Sequence, residues 1–326
     1  MDTAIVNNIF SVTEESFPGL AIEIFKYQYQ HNIVYNCWVK ALGIDVKKVK
    51  QLTDIPFLPV SLFKTHHVVT GFFEPERVFE SSGTTGTVNS RHFVKDISLY
   101  TKSFIKGFEL FYGNPNEWCI IGLLPAYLER KGSSLVKMVD ELIQLSGHES
   151  SGFYLYNFHE LASQLQKQEA EGQKTLLIGV TFALLDFAEQ FPMQLKHTVV
   201  METGGMKGRR NEMIKEEMHS YLEERLGLSL IHSEYGMTEL LSQAYSFGAG
   251  IFKTVPWMKV LVRDEDDPLI VKENGKGLIN IIDLANLHSC SFIATDDVGV
   301  LHANSNFTVL GRSDNSDIRG CSLLYV

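Results

Sequence analysis

The sequence predicts an α/β protein, in which a mostly parallel sheet carries helices on its faces and a smaller β-rich subdomain follows. Two observations predict this fold. Short apolar runs at 118–125, 174–182, 197–202 and 228–236 are typical of strands buried in parallel sheets, and helical patterns separate them. After about residue 250 the pattern changes to strands joined by Asp, Asn and Gly turns.

The composition is that of an ordinary globular protein that binds small molecules. Its 326 residues are 44% hydrophobic and 21% charged, which suffices for one large core or two medium ones. A net charge of -10, with no basic cluster beyond Arg209 and Arg210, argues against a nucleic-acid or anionic-membrane partner. We predict a cytoplasmic location, because no signal peptide or membrane span is visible. The four cysteines are far apart, which suggests neither disulfides nor zinc.

The elements follow in order along the chain. Residues 13–43 have helical spacing, and Gly43 is typical of a helix end. Pro56 and Pro59 then lead into an extended segment, which a turn closes. Helical patterns next alternate with the apolar runs, and they lie at 96–112, 132–147, 158–171, 183–190 and 209–226. The last strands are predicted at MKVLVRD, GLINIIDL and FTVLG.

We therefore expect three consecutive regions. Residues 1–75 form a helical and extended segment, residues 76–250 form the α/β subdomains, and residues 251–326 form the β-rich subdomain. The middle region contains the first two motifs described next.

The first motif is SSGTTG, which follows the apolar pair Val78 and Phe79. Glycines let backbone N–H groups turn toward an anion and hydroxyls donate further hydrogen bonds, so the run suits a phosphate-binding loop. It is neither a Walker loop nor GxGxxG. The alternative is a solvated turn between strands. The residues concerned are Ser81, Ser82, Gly83, Thr84, Thr85 and Gly86.

The second motif is HSEYGMTE at 232–239, directly after an apolar strand. At the carboxyl end of a strand, Tyr235 can offer a stacking face, Thr238 a hydroxyl for phosphate and Glu239 a carboxylate for Mg²⁺. Taken singly, Tyr235 is equally explained as a packing aromatic and Glu239 as an exposed helix-start residue.

The third motif is TDDVG at 295–299, with GRSDNSDIRG after it. An acidic residue in a turn beside a strand, here Asp297, can accept hydrogen bonds from two ribose hydroxyls, and Arg312 can donate to the sugar or to phosphate. Asp and Gly are also common in plain hairpin turns.

The order of these motifs resembles that of the adenylate-forming enzymes. Within that superfamily the chain is most similar to the acyl-protein synthetase family, LuxE type. Four further segments support the resemblance, which covers nearly the whole chain: IPFLPVSLFKTHHV, LPAYLERKGSSL, METGGMKGR and RGCSLL. The resemblance implies the large α/β domain of an adenylate-forming enzyme, with two sheet subdomains and the β-rich subdomain.

The resemblance also implies the cofactors ATP and Mg²⁺ and a role for each motif. Residues 81–86 would hold the β and γ phosphates, and Thr238 the α-phosphate. Glu239 would hold Mg²⁺, and Asp297 with Arg312 the ribose. The adenine would lie on Tyr235, in a site formed with Glu202, Thr203, Gly204, Gly236 and Met237.

The chain departs from the superfamily pattern at three places. Asn89-Ser90-Arg91 stands where Pro-Lys is usual, so Arg91 is our candidate for the basic catalytic role. TDD replaces TGD. The sequence ends at Val326, where typical members continue into a lid domain bearing a catalytic lysine, so we expect that lid to be absent. The enzyme would then adenylate slowly, or Arg91, Lys207, Lys253 or a partner protein would supply the charge.

A terminal cysteine is implied as the acyl acceptor. In the family, a cysteine near the C-terminus takes the acyl group as a thioester, and Cys321 stands at the matching position. Cys321 is otherwise explained as a small hydrophobe in a terminal strand. Cys290, near His288, is the competing thiol.

Three functions remain open from the sequence. The leading one is ATP-dependent activation of a carboxylic acid, expected to be a fatty acid, with transfer to Cys321; an acyl reductase or an acyl carrier protein is the expected partner. The second keeps the adenylation but hands the acyl group to CoA, a carrier protein or an amine. The third is a nucleotide-binding partner subunit without turnover. No GxSxG or HExxH motif supports a serine or metal hydrolase.

Overall fold

The computed structural model describes residues 2–81, 88–125, 132–205 and 213–313. Among them are nine α-helices: α1 (Asp2–Ile9), α2 (Phe17–His31), α3 (Ile33–Ala41), α4 (Leu62–Thr65), α5 (Ile97–Tyr112), α6 (Ser134–Ser146), α7 (Phe158–Glu171), α8 (Thr181–Gln190) and α9 (Lys215–Leu226). None of the helices in these ranges is both long and apolar enough to cross a membrane.

The described residues also contain fifteen strands. They are β1 (Leu58–Pro59), β2 (Arg77–Glu80), β3 (Arg91–Val94), β4 (Cys119–Leu123), β5 (Gly152–Phe153), β6 (Thr175–Gly179), β7 (Thr198–Glu202), β8 (His232–Tyr235), β9 (Ala244–Ser246), β10 (Ile251–Thr254), β11 (Met258–Arg263), β12 (Val271–Lys272), β13 (Gly275–Asp283), β14 (Phe292–Leu301) and β15 (Phe307–Arg312).

Thirteen of these strands form one continuous sheet. Its order is β12-β11-β13-β14-β15-β10-β9-β8-β7-β6-β4-β5, with β1 paired to β14, and β2 and β3 form a separate hairpin. The half that contains β4 to β8 is parallel. The other half is antiparallel apart from β1. The predicted α/β half and β-rich half are therefore both present, joined edge to edge through β8 and β9.

Burial explains the parallel half. Every residue of β4 and of β6 is buried, as expected for central parallel strands covered on both faces. The helices beside them have the caps that the sequence offers. The Asp96 carboxylate accepts from Ser98 N–H at the start of α5, and Gly147 ends α6 in the left-handed region at φ 61°.

The predicted element types are found, with three corrections to their bounds. The helix expected over 13–43 is two helices, because the Asn32 side chain caps a new start by accepting from Tyr35 N–H. The run 228–236 is strand only from His232 onward. TDDVG is not a turn but lies inside the ten-residue strand β14, where the register shifts between Val298 and Gly299.

Candidate nucleotide and acyl site

A cavity of about 700 Å³ lies at the carboxyl ends of β7 and β8, bounded also by β10, β14, β15 and the start of α9. This size falls within the usual range for small-molecule sites, about 300–1,000 Å³. In parallel sheets, ligands bind beyond the carboxyl ends of the strands. Eight of the residues that the sequence proposed line it: Glu202, Thr203, Gly204, Tyr235, Gly236, Met237, Asp297 and Arg312.

Tyr235 and Asp297 meet across the cavity. The Tyr235 hydroxyl donates to Asp297 Oδ2 at 2.7 Å. Their strands, β8 and β14, are four places apart in the sheet, which in a flat sheet would separate them by about 19 Å at about 4.8 Å per strand. The sheet therefore curls around the cavity. Phe252 of β10 and Phe307 of β15 fill the curl, with ring centroids 5.8 and 5.5 Å from that of Tyr235.

Two arginines balance the acidic pair Asp296 and Asp297. Arg312 is the register partner of Asp297; its Nη2 lies 2.7 Å from Asp296 Oδ2 and its Nε 3.7 Å from Asp297 Oδ1. Arg263 is buried beside β14 and donates to Thr295 O at 2.6 Å. Burial lowers the pKa of Arg263 to about 10, while Asp296 and Asp297 act in the opposite direction. The two guanidinium groups thus place positive charge beside both carboxylates.

Glu202 organises the loop that follows β7. Its Oε2 accepts from Gly204 N–H at 2.7 Å and from the Thr181 hydroxyl at 3.3 Å. Gly204 and Gly205 have φ of 74° and 96°, so the turn needs glycine at both positions. Thr181 N–H in turn donates to Gly204 O at 2.9 Å, which ties this loop to the start of α8.

A buried ion pair sets the charge of Glu202. Its Oε1 lies 3.0 Å from Lys215 Nζ and 3.7 Å from His219 Nε2, both on α9. Burial by itself would raise the pKa of Glu202, but Lys215, His219 and Ser233 outweigh it and hold the pKa well below the ordinary value. Lys215 also lies over the Phe252 ring, 4.7 Å from its centroid. A cation and an aromatic ring thus border the same part of the cavity.

Glu234 lines the cavity beside Tyr235. Burial and the neighbouring charge of Glu202 raise its pKa to about 8, so the carboxyl is mainly protonated at neutral pH. The carboxyl extends along β8 to Gly236, and a Cβ at position 236 would collide with its Oε1. Glycine at 236 therefore leaves room for this side chain.

Thr238 and Glu239 are not among the cavity-lining residues of the described ranges. Glu239 has no exposed surface, and neither does Asn286, whose side-chain amide donates to Glu239 O at 2.8 Å. His92 of β3 donates through Nδ1 to Thr238 O at 2.9 Å and accepts through Nε2 from the Ser289 hydroxyl, also at 2.9 Å. Burial lowers the pKa of His92 to about 4, against the Thr238 hydrogen bond and the Glu239 charge. The neutral His92 side chain thus joins the β2–β3 hairpin to the dipeptide Thr238-Glu239.

The alternative explanation of Glu239 as an exposed helix-start residue is therefore wrong, and the predicted role of Glu239 as a Mg²⁺ ligand stays a prediction. A carboxylate without exposed surface presents no ligand oxygen to a cation in the cavity. Within the described ranges, no group of three or more His, Cys, Asp or Glu side chains could hold a metal ion.

The phosphate motif lies mostly outside the described residues. Ser82, Gly83, Thr84, Thr85, Gly86 and Lys207 fall outside them. Ser81 falls inside the described residues. Its hydroxyl accepts from Ser90 N–H at 2.9 Å, next to the last paired residues of β2 and β3, Glu80 and Arg91. Arg91 is half-buried on β3, 5.5 Å from the Phe93 ring centroid. Neither Ser81 nor Arg91 lines the cavity where the structure describes it.

The cysteines differ in access. Cys321 is outside the described residues. Cys290 has no exposed surface, and burial raises its pKa to about 12, so its thiol has neither the access nor the ionisation of an acyl acceptor. Cys119 is also buried, whereas Cys37 is exposed.

A comparison with protein families now adds the decisive observation. The model of "Acyl-protein synthetase, LuxE" matches residues 13–325. The chain belongs to this acyl-protein synthetase family. The resemblance to this family that the motifs indicated is thereby confirmed.

Solved structures show the same fold at low identity. ATP-bound MatB from Rhodopseudomonas palustris superposes with a TM-score of 0.55 at 16% identity, over 76% of this chain and 50% of that one. A 2-hydroxyisobutyryl-CoA ligase in its postadenylation state gives 0.62 at 12% identity, over 98% and 72%. Its open conformation gives 0.60 at 12% identity, over 93% and 76%. The adenylate-forming fold is therefore confirmed. The matched part of the chain spans half the length of MatB. A search of curated proteins finds no match.

Sequence reasoning missed several cavity residues of this acyl-protein synthetase family member. Phe252, Lys215, His219 and Glu234 all line the cavity, and Arg263 supports it. A usable signal existed only for Glu234, an acidic residue directly before YGMTE. The others reach the site through the curl of the sheet and the packing of α9, which no local pattern reveals.

Proposed function

We propose that the chain uses ATP to activate a carboxylic acid as an acyl-adenylate and then passes the acyl group to Cys321. The family and the fold support the first step. The observation that carries the proposal is the meeting of Tyr235, Asp297 and Arg312 across one cavity at the carboxyl ends of the strands. These are the three residues to which the motif order gives the adenine and ribose.

The nucleotide end would lie on the Tyr235 side of the cavity. The Tyr235 ring would carry the adenine, and the backbone of Thr203 and Gly204 would border its edge. Asp297 would accept from the ribose hydroxyls, and Arg312 beside it would donate to the sugar or to phosphate. Tyr235 donates to one Asp297 oxygen in this structure, so ribose would bind the other oxygen or replace the tyrosine hydroxyl.

The chemistry follows from the weakness of a carboxylate as an electrophile. A carboxylate oxygen of the acid attacks the α-phosphorus of ATP, the bond to the β-phosphate oxygen breaks, and pyrophosphate leaves. The thiolate of Cys321 then attacks the acyl carbon, a thioester forms, and AMP leaves with the electron pair of the broken C–O bond. The thiol proton passes to solvent.

The phosphate side rests on the family alone. We propose residues 81–86 for the β and γ phosphates, Thr238 for the α-phosphate and Arg91 for the basic role. Mg²⁺, which would neutralise phosphate charge when bound, is proposed for Glu239, but the burial of that side chain does not fit the role and no step is assigned to the ion. The three-region division and the cytoplasmic location stay predictions.

The acid is proposed to be a fatty acid, with an acyl reductase or acyl carrier protein as partner, because the family is named for acyl transfer to protein. Of the thiols, Cys290 is excluded as the acceptor by its burial. Cys37 is exposed but lies on α3, outside every motif, and it serves as the control for Cys321.

The test is the intact mass of the purified protein after incubation with Mg-ATP and a mixture of fatty and aromatic acids. Wild type is compared with Cys321→Ser and with the control Cys37→Ser. We expect a hydroxylamine-labile acyl adduct in wild type and in Cys37→Ser, and no adduct in Cys321→Ser.

An adduct that persists in Cys321→Ser would contradict the assignment of the acceptor. An unmodified mass with acid-dependent pyrophosphate release would indicate transfer to CoA, a carrier protein or an amine. Stabilisation by ATP without any acid-dependent turnover would indicate the nucleotide-binding subunit instead.

A further inference from the structure

The His92 side chain lies on the inner face of the β2–β3 hairpin. Residues alternate across a strand, and along β3 His92 and Val94 are buried whereas Phe93 between them is only half-buried. The His92 ring packs edge-on against the Phe63 ring, with centroids 5.9 Å apart. A buried imidazole is unfavourable unless its ring nitrogens have hydrogen-bond partners, so this histidine needs a partner on each side.

Both ring nitrogens of His92 have such partners, and the partners fix its tautomer. Nδ1 lies 2.9 Å from Thr238 O, and because a carbonyl oxygen only accepts, Nδ1 carries the proton and donates it. Nε2 lies 2.9 Å from the Ser289 hydroxyl and accepts from it. One nitrogen therefore holds the backbone at Thr238, and the other holds the ring itself in place.

The chain that follows β8 is irregular, and side chains of other elements hold its backbone. Thr238 O accepts from His92, and the next carbonyl, Glu239 O, accepts from the buried Asn286 amide at 2.8 Å. Asn286 comes from the turn after β13, whereas His92 comes from the hairpin between whose strands SSGTTG lies. The His92 hydrogen bond thus joins the hairpin of the first motif to the second motif.

The carbonyl that His92 holds belongs to the residue proposed for the α-phosphate. Thr238 is half-buried and directly follows Met237, which lines the cavity. A hydrogen bond that fixes the backbone at Thr238 also limits where its hydroxyl can point. Precision matters here, because a displacement of about 1 Å at a reacting group can lower a rate about a hundredfold.

We propose that His92 is a positioning residue for adenylation: its Nδ1 hydrogen bond holds Thr238 in the orientation in which the Thr238 hydroxyl binds the α-phosphate. This proposal rests on the proposed function, which gives the α-phosphate to Thr238. The same hydrogen bond keeps Thr238 at a fixed place relative to the hairpin of SSGTTG, so that the two phosphate-binding segments act together.

A purely structural role for His92 makes a different prediction. Both hydrogen bonds of the ring would then contribute to stability alone, and the loss of either would affect activity only through unfolding. Under the positioning role the two nitrogens differ. Loss of the Nδ1 contact slows adenylation in the folded protein, whereas loss of the Nε2 contact does not.

Two amide variants separate the nitrogens. Asparagine places its side-chain amide at the position of Nδ1 and can still donate to Thr238 O, whereas glutamine places its amide at the position of Nε2, next to Ser289. Ser289→Ala is the matched control, since it removes the Nε2 contact and keeps His92.

The assay is acid-dependent exchange of labelled pyrophosphate into ATP over a range of ATP concentrations. The acid is the one that wild type uses best in the mixture of fatty and aromatic acids. Urea unfolding and AMP binding, followed by thermal shift, report folding and the nucleotide site in each variant.

We expect His92→Gln to lower kcat by about tenfold to a hundredfold while it still folds and binds AMP. The KM for ATP should change by less than about threefold, because the contacts to base and ribose remain. His92→Asn and Ser289→Ala should keep kcat within about threefold of wild type, although both lose stability in urea. Activity that asparagine retains and glutamine loses is a pattern that instability does not produce.

A double-mutant cycle tests whether His92 acts through Thr238. Thr238→Val removes the hydroxyl at nearly constant shape and is expected to lower kcat by itself. Adding His92→Gln should then cause little further loss, because the group that His92 positions is already gone.

Three results would overturn the proposal: equal kcat values in His92→Asn and His92→Gln, additive losses in the cycle, or an unchanged kcat in Thr238→Val. If no acid supports exchange in wild type although AMP binds, the proposed function itself fails, and the positioning role fails with it. That result is distinguishable from the first three, because each of them requires a measurable exchange rate in wild type.

Discussion

The Tyr235 hydroxyl donates a 2.7 Å hydrogen bond to Asp297 Oδ2 and thereby joins β8 to β14 across the candidate nucleotide site. Burial and the Asp297 charge both raise the pKa of Tyr235, so it stays a donor at all working pH values. This contact links the last strand of the parallel half to the antiparallel half of the sheet, which accounts for the position of the cavity between them.

Removing that hydroxyl should destabilise the fold. Tyr235→Phe is expected to lower the free energy of unfolding by about 1.5–3 kcal/mol, because a charged acceptor loses its donor. Urea denaturation measures this difference. Tyr245→Phe is the matched control: its hydroxyl is buried without a hydrogen bond in the described structure, so its loss should change the free energy little. Equal losses in both variants would contradict the account.

Breaking the Glu202–Lys215 ion pair should lower the free energy of unfolding strongly, because the pair is buried. Glu202→Gln or Lys215→Met is expected to cost about 3–5 kcal/mol each, since either change leaves a buried charge or amide without its partner. The double variant should cost less than the sum, as a double-mutant cycle would show. The exposed pair Lys174–Glu117 is the control, at about 0–1 kcal/mol. Additive losses at Glu202 and Lys215 would refute the coupling.

Much of the fold was predictable because local patterns determine it. The apolar runs of β4 and β6 identify central parallel strands, and capping residues such as Asp96 mark helix starts. The curl of the sheet was not predictable, because it depends on the pairing of β10 with β15, two strands that are distant in sequence. TDDVG was mistaken for a turn for a related reason: its polar residues sit in a strand because they face a cavity.

The residues of the candidate site were likewise predictable only in part. Tyr235, Asp297 and Arg312 were proposed from the motif order, and the structure brings them together. Lys215 and Phe252 carry no motif and come close only through the packing of α9 on β10. The burial of Glu239 was not foreseen either, because it results from long-range contacts with His92 and Asn286.

Glu234 should make the fold less stable as the pH rises from 6.5 to 8. Its folded pKa is about 8, above the ordinary value near 4.5, so in this window the folded state binds a proton that the unfolded state has lost. Stability should fall by up to about 1.4 kcal/mol per pH unit. The groups that face Glu234 do not titrate here, because the pKa values of Glu202 and His232 are lowered and those of Tyr100, Tyr112 and Tyr245 are raised.

Glu234→Gln is the control variant for the pH dependence of stability between pH 6.5 and 8. Denaturant unfolding at pH 6.5, 7.25 and 8 should show a falling free energy in wild type and a nearly flat one in the variant. Parallel curves would show that Glu234 is ionised in the folded state throughout.

Acid should destabilise the fold through His92. Burial lowers its folded pKa to about 4, below the ordinary value near 6.5, so the unfolded state binds the proton first and stability is lost as the pH falls from 6.5 toward 4. The slope should be about 1.4 kcal/mol per pH unit for this residue. His232, with a pKa lowered to about 4 by burial, should add a similar slope. Unfolding curves of wild type, His92→Asn and His232→Asn between pH 6.5 and 5 measure each contribution.

Each variant should show a shallower slope than wild type. His92→Asn should also lose stability at pH 7, because the Ser289 hydroxyl loses its acceptor. A slope unchanged in both variants would mean that neither histidine is neutral in the folded protein.

The central claim, that this cavity forms an acyl-adenylate, is tested most directly by acid-dependent pyrophosphate exchange in wild type and in Asp297→Ala, with the exposed Asp266→Ala as control. We predict exchange in wild type and Asp266→Ala only when an acid is present. Asp297→Ala should lower kcat/KM for ATP by about tenfold to a hundredfold, as expected for losing hydrogen bonds to a charged group. Exchange that Asp297→Ala leaves unchanged, or that no acid supports in a wild-type protein that still binds ATP, would contradict the claim.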